Sequence, residues 1–251
     1  MQKKLKALVL GGISEAKKLV AGLSVKNFEV VVSRATKVSQ DEPLNTNVKY
    51  RHGVLDEEGL LSLAQKKGFD LIIDCTHPYA SEISQNAYNV SKVLGVPFLV
   101  YDRPGLGSEI SKVIWADSHH HAADIALDGR VVFLSVGSNN IGIYTAKSDH
   151  RKNLIVRTLP GEIFRQKIVN AGVQEKNIFQ ATGPFSLQDN IDHFKLSKAE
   201  VLVTKDSGQA GGVPAKLEAA SMLGIEVIVI RRPVRPGKKI FTSIDDLLSC
   251  L

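Results

Sequence analysis

The sequence predicts an α/β fold of two lobes with mainly parallel sheets and a cleft between the lobes. Apolar runs typical of buried strands alternate with amphipathic segments typical of helices, which indicates parallel sheets covered on both faces. A glycine turn at Gly11–Gly12 follows the first strand. Polar segments follow one strand in each half, at Asp74–Ala80 and Thr204–Gly212, and open α/β sheets bind ligands at such strand ends. We therefore expect two Rossmann-like lobes.

The first half contains five predicted strands and three predicted helices. The strands are expected at Lys6–Leu10, at Phe28–Ser33, near Val48, at Asp70–Asp74 and at Val96–Tyr101. The helices are expected from the glycine turn to about Leu23, at Asp56–Lys67 and at Tyr79–Leu94. Asp56 is a suitable N-cap for the second helix. Pro78 is expected to start the third, with Thr76 as its N-cap.

The second half repeats the alternation. The chain is expected to cross between lobes after the turn-rich segment Asp102–Ser108, which gives a dinucleotide-binding lobe of residues 1–128 and a second lobe of residues 129–251. Strands are predicted at Arg130–Ser135, Asn153–Thr158, Asn177–Ala181, Val201–Thr204 and Glu226–Ile230. Helices are predicted near Glu162–Ala171, Ser186–Lys195, Pro214–Leu223 and Ile244–Leu251, the last packing back on one lobe.

Composition narrows the class of protein. The 251 residues contain no apolar run near the ~18 residues that span a bilayer, and the first apolar stretch leads into a glycine turn rather than a cleavage site. Two distant cysteines, Cys75 and Cys250, favour a reducing compartment, so we expect a cytoplasmic protein away from membranes. We interpret Cys75 as a small apolar residue rather than a nucleophile.

The net charge is +6, with Lys and Arg spread along the chain apart from a basic run at Arg231–Lys239. No aromatic-rich motif accompanies these charges, which argues against nucleic acid as a partner. A positive cleft concentrates small anions instead. We therefore expect an anionic small molecule as the ligand, while the oligomeric state stays open.

The glycine turn is a candidate cofactor site. Gly11 and Gly12 let the backbone approach a phosphate closely, and the start of the following helix offers N–H groups and partial positive charge. Ser14 adds a hydroxyl, and Glu15 completes the candidate set. The motif is not G-x-G-x-x-G, so a purely structural turn remains the alternative.

The end of the second strand bears on the cofactor. An acidic residue there would favour NAD, but this chain has Ser33, Arg34 and Lys37. Arginine can bind the 2′-phosphate of NADPH, so we expect NADPH, with NADH as the alternative. A solvated loop of basic residues at Arg34 and Lys37 is the alternative interpretation.

Asp74–Ala80 and Thr204–Gly212 carry the remaining candidates. His77 can contact a ligand, donate a proton or cap the sheet edge, and Tyr79 lies beside it. In the second segment, small residues surround a lysine and an aspartate, so backbone N–H groups can form an anion nest; a flexible loop is the alternative. The substrate-binding candidates are Lys205, Ser207, Gly208 and Gly211, and Asp206 is a catalytic candidate.

Four other features are expected to be structural. His119–His121 are adjacent on a predicted helix and cannot jointly hold a metal, so we expect a solvated helix start and no metal site. Tyr88 and Lys92 have the Y-x-x-x-K spacing of short-chain dehydrogenases but lie too early in the chain. Ser186 is expected to N-cap its helix, and Asp245–Asp246 to form a first helical turn.

Taken together, several segments resemble the precorrin-6A reductase family of cobalamin biosynthesis. They are Leu10–Ala16, Asp74–Ala87, Gly183–Ser186, Leu202–Ala220 and Val229–Pro233. The resemblance implies two Rossmann-like lobes and reduction of one double bond of a ring-contracted macrocycle by a reduced nicotinamide cofactor, giving precorrin-6B. Family members differ in cofactor and in whether the ring carries cobalt. Ile13 stands where this family usually has Thr, and Arg34 stands in a loop that is often uncharged.

The resemblance also implies roles for the two lobes. The first lobe would bind the cofactor, with Thr76 among its contacts, and the cleft would hold the carboxylate-rich corrinoid ring. His77 is the best proton donor by residue type, with Tyr79 and Asp206 behind it. Two alternatives remain open, namely a reductase of another anionic substrate and a non-catalytic nucleotide-sensing module.

Overall fold

The computed structural model describes residues 4–36, 46–107, 112–147 and 153–251. The chain divides into two compact units: unit 1 consists of Met1–Pro104 and Pro233–Leu251, and unit 2 consists of Gly105–Arg232. Each unit is built on a six-stranded sheet in which the registered strand pairs are parallel. The α/β prediction with parallel sheets is therefore confirmed. Among the described residues, no helix combines the length and apolar character needed to cross a membrane.

Unit 1 has the strand order of a doubly wound sheet. Its strands are β1 (Lys6–Gly11), β2 (Glu29–Arg34), β3 (Val48–His52), β4 (Leu71–Cys75), β5 (Phe98–Tyr101) and β12 (Ile240–Phe241). Its helices are α1 (Ala16–Val25), α2 (Glu57–Lys67), α3 (Ser81–Leu94) and α9 (Ile244–Ser249). The order β12-β5-β4-β1-β2-β3 reverses direction at β1. The crevice between the ends of β1 and β4 is therefore the expected ligand position.

Unit 2 repeats this order. Its strands are β6 (Ile114–Ala116), β7 (Val132–Ser135), β8 (Leu154–Thr158), β9 (Ile178–Gln180), β10 (Val201–Lys205) and β11 (Glu226–Ile230). Its helices are α4 (His119–Ala126), α5 (Ile141–Lys147), α6 (Glu162–Asn170), α7 (Leu187–Ser197) and α8 (Val213–Met222). In the order β6-β11-β10-β7-β8-β9, the direction reverses at β7, so the equivalent position lies between the ends of β7 and β10.

Local sequence signals set several helix ends. The Asp56 carboxylate accepts a hydrogen bond from the Gly59 N–H and caps α2, which ends at Gly68 in the left-handed region with φ of 63°. Ser186 caps α7 in a reciprocal capping box with Asp189, as predicted. Asp245 lies in the first turn of α9, also as predicted.

The start of α3 differs from the prediction. The helix begins at Ser81 rather than at Pro78, and Thr76 is not its N-cap. The Thr76 hydroxyl instead donates to the Asp74 carboxylate at 2.7 Å, and the Thr76 N–H donates to the same oxygen at 3.0 Å. The prediction was wrong because both Thr76 donors bond to the Asp74 carboxylate and turn the chain here, so the helix starts five residues later and its first N–H groups are beyond the reach of the Thr76 hydroxyl.

The compact units also differ in extent from the predicted lobes of residues 1–128 and 129–251. Strand β6 pairs with β11 of unit 2, so the chain enters unit 2 before residue 129. Strand β12 pairs with β5, and α9 packs against α1 of unit 1. The last helix therefore packs back on unit 1. Strands of three and two residues carry too short an apolar pattern to be recognised in the sequence.

Candidate functional site

The glycine turn of unit 1 lies against the backbone that follows β4. Gly11 is registered with Cys75 across β1 and β4. A Cβ at Gly12 would lie 3.3 Å from the backbone nitrogen of His77 and 3.4 Å from Cα of Thr76. This turn can approach so closely because position 12 has no side chain. Two predicted segments therefore meet at the reversal of strand order in unit 1.

Ser14 and Glu15 form a small polar network just before α1. The Ser14 hydroxyl donates to Glu15 Oε2 at 2.8 Å, and Nη2 of the buried Arg103 donates to the same oxygen at 2.7 Å. The carboxylate of Glu15 is thus held by a cation and a hydroxyl. Helix α1 begins at Ala16, so Ser14 and Glu15 lie immediately before its first turn. Sequence reasoning identified both Ser14 and Glu15 but not Arg103.

The ends of β2 and β3 bring two arginines together around Ser33. Ser33 is registered with Arg51, whose Nη1 donates to the Ser33 hydroxyl at 3.0 Å. A Cβ at Gly11 would lie 3.3 Å from Nε of Arg34, so Arg34 extends over the glycine turn. The Arg34 guanidinium also lies 5.6 Å from the centre of the Tyr50 ring. Lys37, predicted beside them, lies outside the described residues.

A buried ionic network supports the loop that carries Thr76 and His77. The Asp74 side chain is fully buried, and its Oδ2 lies 3.3 Å from Nη2 of Arg235. Nη1 of Arg235 donates to the Ser84 hydroxyl at 2.9 Å, and Nη2 donates to the Thr76 carbonyl at 3.4 Å. This loop therefore depends on a residue from the C-terminal segment of unit 1.

His77 and Tyr79 are neighbours in this loop. The Tyr79 N–H donates to Nδ1 of His77 at 3.3 Å, and the two rings are tilted at a centroid distance of 5.6 Å. Because Nδ1 accepts a hydrogen bond, the neutral imidazole carries its proton on Nε2. Proton exchange with a ligand would therefore take place at Nε2. Both side chains are half-buried.

Cys75, at the end of β4, is unsuited to nucleophilic chemistry. Its side chain is buried, and burial, followed by the charge of Asp74, raises the pKa of the thiol to about 12. A thiol with this pKa stays protonated near neutral pH, whereas the thiolate is the nucleophile. The structure supports the interpretation of Cys75 as an apolar residue.

In unit 2, Asp206 organises the loop that follows β10. Its Oδ1 accepts hydrogen bonds from the N–H groups of Leu106 at 2.9 Å and Gly208 at 3.2 Å. Its Oδ2 lies 3.2 Å from Nε of Arg232. These donors stabilise the ionised carboxylate and hold it in place. The contacts of Asp206 are therefore those of a loop anchor.

The predicted anion-binding residues lie in one loop at the end of β10. Gly208 and Gly212 both have φ of 70°, which favours glycine. Lys205 is the last residue of β10, and burial lowers the pKa of its ammonium group. Ser207 and Gly211 lie between these positions, and both are half-buried.

The histidine run was only partly interpreted correctly. Helix α4 begins at His119 behind the N-cap Ser118, as expected for a helix start. However, His119 is half-buried, shares a hydrogen bond of 3.0 Å with the Tyr144 hydroxyl, and has its pKa lowered to about 4 by burial. Its predicted solvation was wrong because the Tyr144 ring on α5 covers it. No group of three metal-ligating side chains occurs among the described residues.

Sequence reasoning missed six cationic residues at these strand ends. They are Arg51, Arg103, Arg157, Lys216, Arg232 and Arg235. Two of them fall in the basic run that the sequence displays, Arg231–Lys239, although nothing in its composition indicates their carboxylate partners. The other four are single basic residues within or beside apolar strands and helices. Their neighbours come from distant parts of the sequence, so only the folded structure shows them.

Comparison with known proteins identifies the family of this chain. The family model described as "Precorrin-6x reductase CbiJ/CobK" matches residues 6–251. The chain is 28% identical over 249 residues to cobalt-precorrin-6A reductase of Priestia megaterium, covering 97% of each chain. It is 32% identical over 252 residues to precorrin-6A reductase of Rhodococcus erythropolis, covering 97% of this chain and 95% of the relative.

A solved structure shares the whole fold. The structure described as "CobK precorrin-6A reductase" matches with a TM-score of 0.79 and 26% identity, covering 98% of this chain and 96% of that chain. Both the family model and the structure extend over nearly all of this sequence, including both units. The chain therefore belongs to the precorrin-6x reductase family.

Proposed function

We propose that this chain catalyses the NAD(P)H-dependent reduction of one double bond of precorrin-6A, with or without cobalt, to give precorrin-6B in cobalamin biosynthesis. The observation that carries the proposal is the close approach of Gly12 to the Thr76–His77 backbone at the reversal of strand order. Doubly wound sheets bind dinucleotides at this position. The named activity of relatives that match 97% of this chain supports the substrate.

Unit 1 is proposed to bind the cofactor. Because Gly12 has no side chain, the glycine turn packs against the Thr76–His77 backbone, and the N–H groups at the start of α1 beside it are proposed to bind the pyrophosphate. Gly11, Ser14 and Thr76 border the same turn. Glu15 is proposed to act through Ser14. The Glu15 carboxylate accepts a hydrogen bond from the Ser14 hydroxyl and fixes the orientation of the Ser14 side chain.

NADPH is the proposed cofactor, with NADH as the alternative. Arg34 and Arg51 lie around Ser33 at the ends of β2 and β3, where the adenosine ribose binds in doubly wound sheets. A guanidinium can hold a phosphate with two parallel hydrogen bonds. The negative charge of a 2′-phosphate would therefore be favoured there, whereas residues 31–37 contain no acid to bind the free ribose hydroxyls of NAD.

The reaction needs a hydride and a proton. A bound reduced nicotinamide supplies the hydride, and the protein orients the reactants and excludes water. We assign the proton to His77, which would donate it from Nε2 as the imidazolium; protonation of Nδ1 requires the hydrogen bond from the Tyr79 N–H, 3.3 Å long, to open first. Tyr79 is proposed to position this imidazole and remains the second candidate for the proton itself. Asp206 is proposed to shape its loop, because its carboxylate is occupied by the N–H groups of Leu106 and Gly208 and by Arg232.

Unit 2 is proposed to bind carboxylates of the macrocycle. Lys205 supplies positive charge at the end of β10, and burial strengthens its electrostatic interactions. Ser207, Gly208 and Gly211 bring hydroxyl and backbone N–H groups to the same loop. The ring substrate is rich in acetate and propionate side chains, which such groups recognise. No nucleic acid or membrane is proposed as a partner.

The proposed compartment is the cytoplasm. Both cysteines, Cys75 and Cys250, are free thiols, as a reducing compartment favours. The proposed reaction also requires a reduced nicotinamide cofactor, which the cytoplasm contains. Fractionation of cells that produce the untagged protein, with detection by a specific antibody, tests this assignment.

An anaerobic assay tests the proposed reaction. Purified full-length protein is mixed with cobalt-precorrin-6A or its metal-free form, in parallel with NADPH or NADH. Loss of the reduced-nicotinamide absorbance and a gain of two hydrogens in the mass of the corrinoid are expected, faster with NADPH. The matched control omits the macrocycle, because background oxidation of the cofactor must be subtracted.

Two outcomes would contradict the proposal. Cofactor binding without oxidation on either ring would favour a nucleotide-sensing protein. Oxidation with a different carboxylate-rich acceptor, but not with precorrin-6A, would favour a reductase of another anionic substrate.

A further inference from the structure

A row of polar side chains crosses the sheet of unit 2 near its carboxyl ends. Thr204 on β10 is registered with Ser135 on β7. Nη2 of Arg157 on β8 donates to the Ser135 hydroxyl at 3.4 Å. Nζ of Lys216, from α8, donates to the Thr204 hydroxyl at 3.0 Å. Two cations therefore flank a pair of neighbouring hydroxyl residues on adjacent strands.

Both cations are almost fully buried. Arg157 is 4% exposed and Lys216 is 6% exposed. The other acceptors of Arg157 are neutral, namely Asn190 Oδ1 at 2.9 Å and His193 Nδ1 at 3.2 Å. Within the described part of the chain, no carboxylate lies within 4.0 Å of either cation. Asp189, whose charge acts on Arg157 from farther away, is occupied in capping α7.

Such an arrangement is unfavourable in the free protein. Buried charges are normally paired, because removing an ion from water costs several kcal/mol. Burial and the charges of Arg157 and Lys205 lower the pKa of Lys216 to about 7, and burial lowers the pKa of Arg157 to about 10. The Phe185 ring, whose centre lies 4.0 Å from the Arg157 guanidinium, offsets part of this cost but supplies no counter-charge, which a negatively charged ligand would provide.

Hydrogen-bond donors remain available on both side chains. Arginine has five N–H donors and lysine has three. Three hydrogen bonds of Arg157 and one of Lys216 have acceptors among the described residues. Nε–H and one Nη2–H of Arg157 therefore have no acceptor in the described part of the chain. These neighbouring groups match the two oxygens of a carboxylate or phosphate.

The position of the row is also that of a ligand site. Strands β7 and β10 are neighbours at the reversal of strand order in unit 2, and ligands bind outside the carboxyl ends of strands at this point. Ser135 is the last residue of β7, and Thr204 is the penultimate residue of β10. The glycine-containing loop that begins at Lys205 follows directly.

We propose that Arg157 and Lys216 form an oxyanion site in unit 2, whose ligand is a carboxylate of the macrocyclic substrate. This inference rests on the proposed function for the identity of the ligand. A phosphate of the cofactor has the same chemistry and is distinguished by the experiment. The oxyanion supplies the missing counter-charge, so binding relieves the repulsion between the two buried cations.

The test compares binding and stability in one set of variants. Lys216→Met removes the charge and keeps the length of the side chain, Lys216→Arg keeps the charge, and Arg157→Met removes the second cation. Lys195→Met is the matched control, because Lys195 is exposed on α7 and loses the same unit of charge. Dissociation constants are measured anaerobically for cobalt-precorrin-6A, for NADPH and for NADH, and urea unfolding gives stability.

Lys216→Met should bind the macrocycle about tenfold more weakly or worse, since one hydrogen bond to a charged group is lost. Lys216→Arg and Lys195→Met should bind it about as well as the wild type, and Lys216→Met should unfold no more easily than the wild type. If NADPH rather than the macrocycle is bound more weakly, the oxyanion is a cofactor phosphate. Unchanged dissociation constants for all three ligands, in both Met variants, would overturn the proposal.

Failure of the proposed function can be distinguished from failure of the oxyanion site. A wild-type protein that binds the macrocycle without reducing it would contradict the proposed reaction, while the binding constants still decide the oxyanion site. If the wild type binds no macrocycle, inorganic phosphate and propane-1,2,3-tricarboxylate serve as probes. A rise in melting temperature with either probe in the wild type, absent in Lys216→Met, supports the site, and equal rises in both proteins overturn it.

Discussion

The Arg235 guanidinium lies 3.3 Å from the Asp74 carboxylate, and both side chains are buried in unit 1 although they come from its two separate chain segments. Arg235 also donates a hydrogen bond to the Thr76 carbonyl, so the pair contacts the loop that follows β4. The loop that carries His77, the candidate proton donor, is therefore anchored by a buried ion pair. Its stability and its geometry depend on the same two residues.

Removal of either partner should destabilise the protein. Arg235→Met or Asp74→Asn leaves an uncompensated buried charge, so we expect a loss of about 3–5 kcal/mol in the free energy of unfolding. The double variant should lose much less than the sum, because neither charge then remains. Urea unfolding of the four proteins gives the coupling energy. Additive losses would show that the two residues do not act as a pair.

His77→Ala should lower kcat more than it changes the dissociation constant of the cofactor. The expected decrease is about 10²–10⁴-fold, as for loss of a general acid. Stopped-flow reduction and a cofactor titration measure the two quantities. His120→Ala, at an exposed position of α4, is the control and should behave like the wild type. Unchanged turnover in His77→Ala would remove His77 as the proton donor.

Arg34→Gln should reduce the preference for NADPH over NADH. Loss of one charged hydrogen bond to the 2′-phosphate corresponds to about a tenfold to hundredfold decrease in kcat/KM with NADPH. The value with NADH should change little, because that cofactor has no phosphate at this position. Steady-state kinetics with both cofactors give the ratio. An equal decrease with NADH and NADPH would indicate a general effect on the glycine turn.

Lys216 should make stability depend on pH. Its pKa is lowered from 10.5 to about 7 in the folded protein, so between these values the unfolded state binds more protons and stability rises with pH. The destabilising effect is complete below the folded pKa. Lys216→Met should therefore exceed the wild type in stability at about pH 7 and by less at about pH 9. A pH-independent difference in urea unfolding would contradict this lowered pKa.

Gly22 should be needed for the packing of the C-terminal helix. A Cβ at this position would overlap with Cδ1 of Leu248 on α9. Gly22→Ala should therefore destabilise unit 1 by about 1–3 kcal/mol, although alanine is the better helix former. In a Leu248→Ala background the same change should be stabilising by about 0.5–1 kcal/mol. Loss of stability in both backgrounds, measured by urea unfolding, would assign the effect to α1 itself.

The regular part of the fold could be predicted because each signal is local. Apolar runs such as Leu71–Ile73 need no distant partner to indicate a buried strand, and Ser186 with Asp189 forms a capping box within one helical turn. The two polar strand ends were recognised for the same reason. Parallel strands then bring their carboxyl ends to one edge of each sheet.

The partners of the charged residues could not be predicted. Arg235 and Asp74 meet because the chain returns to unit 1 from Pro233 onward, and the two-residue strand β12 that marks this return leaves no pattern in the sequence. Lys216 was seen merely as part of a helix, since its burial depends on packing against β10. Thr76 was predicted to cap α3, but its hydroxyl donates to Asp74 and the helix starts at Ser81, because the sequence does not show where the turn after β4 ends.

The return of residues 233–251 to unit 1 has a consequence for synthesis of the protein. A ribosome releases residues 1–104 first, yet β12, α9 and the partner of Asp74 emerge only after all of unit 2 has been made. Translation at about 5–20 residues per second therefore leaves the early segment without its edge strand for many seconds. Unit 2 is the first of the two whose residues are all available, and a chain that stops before residue 233 leaves an unneutralised carboxylate in the nascent core.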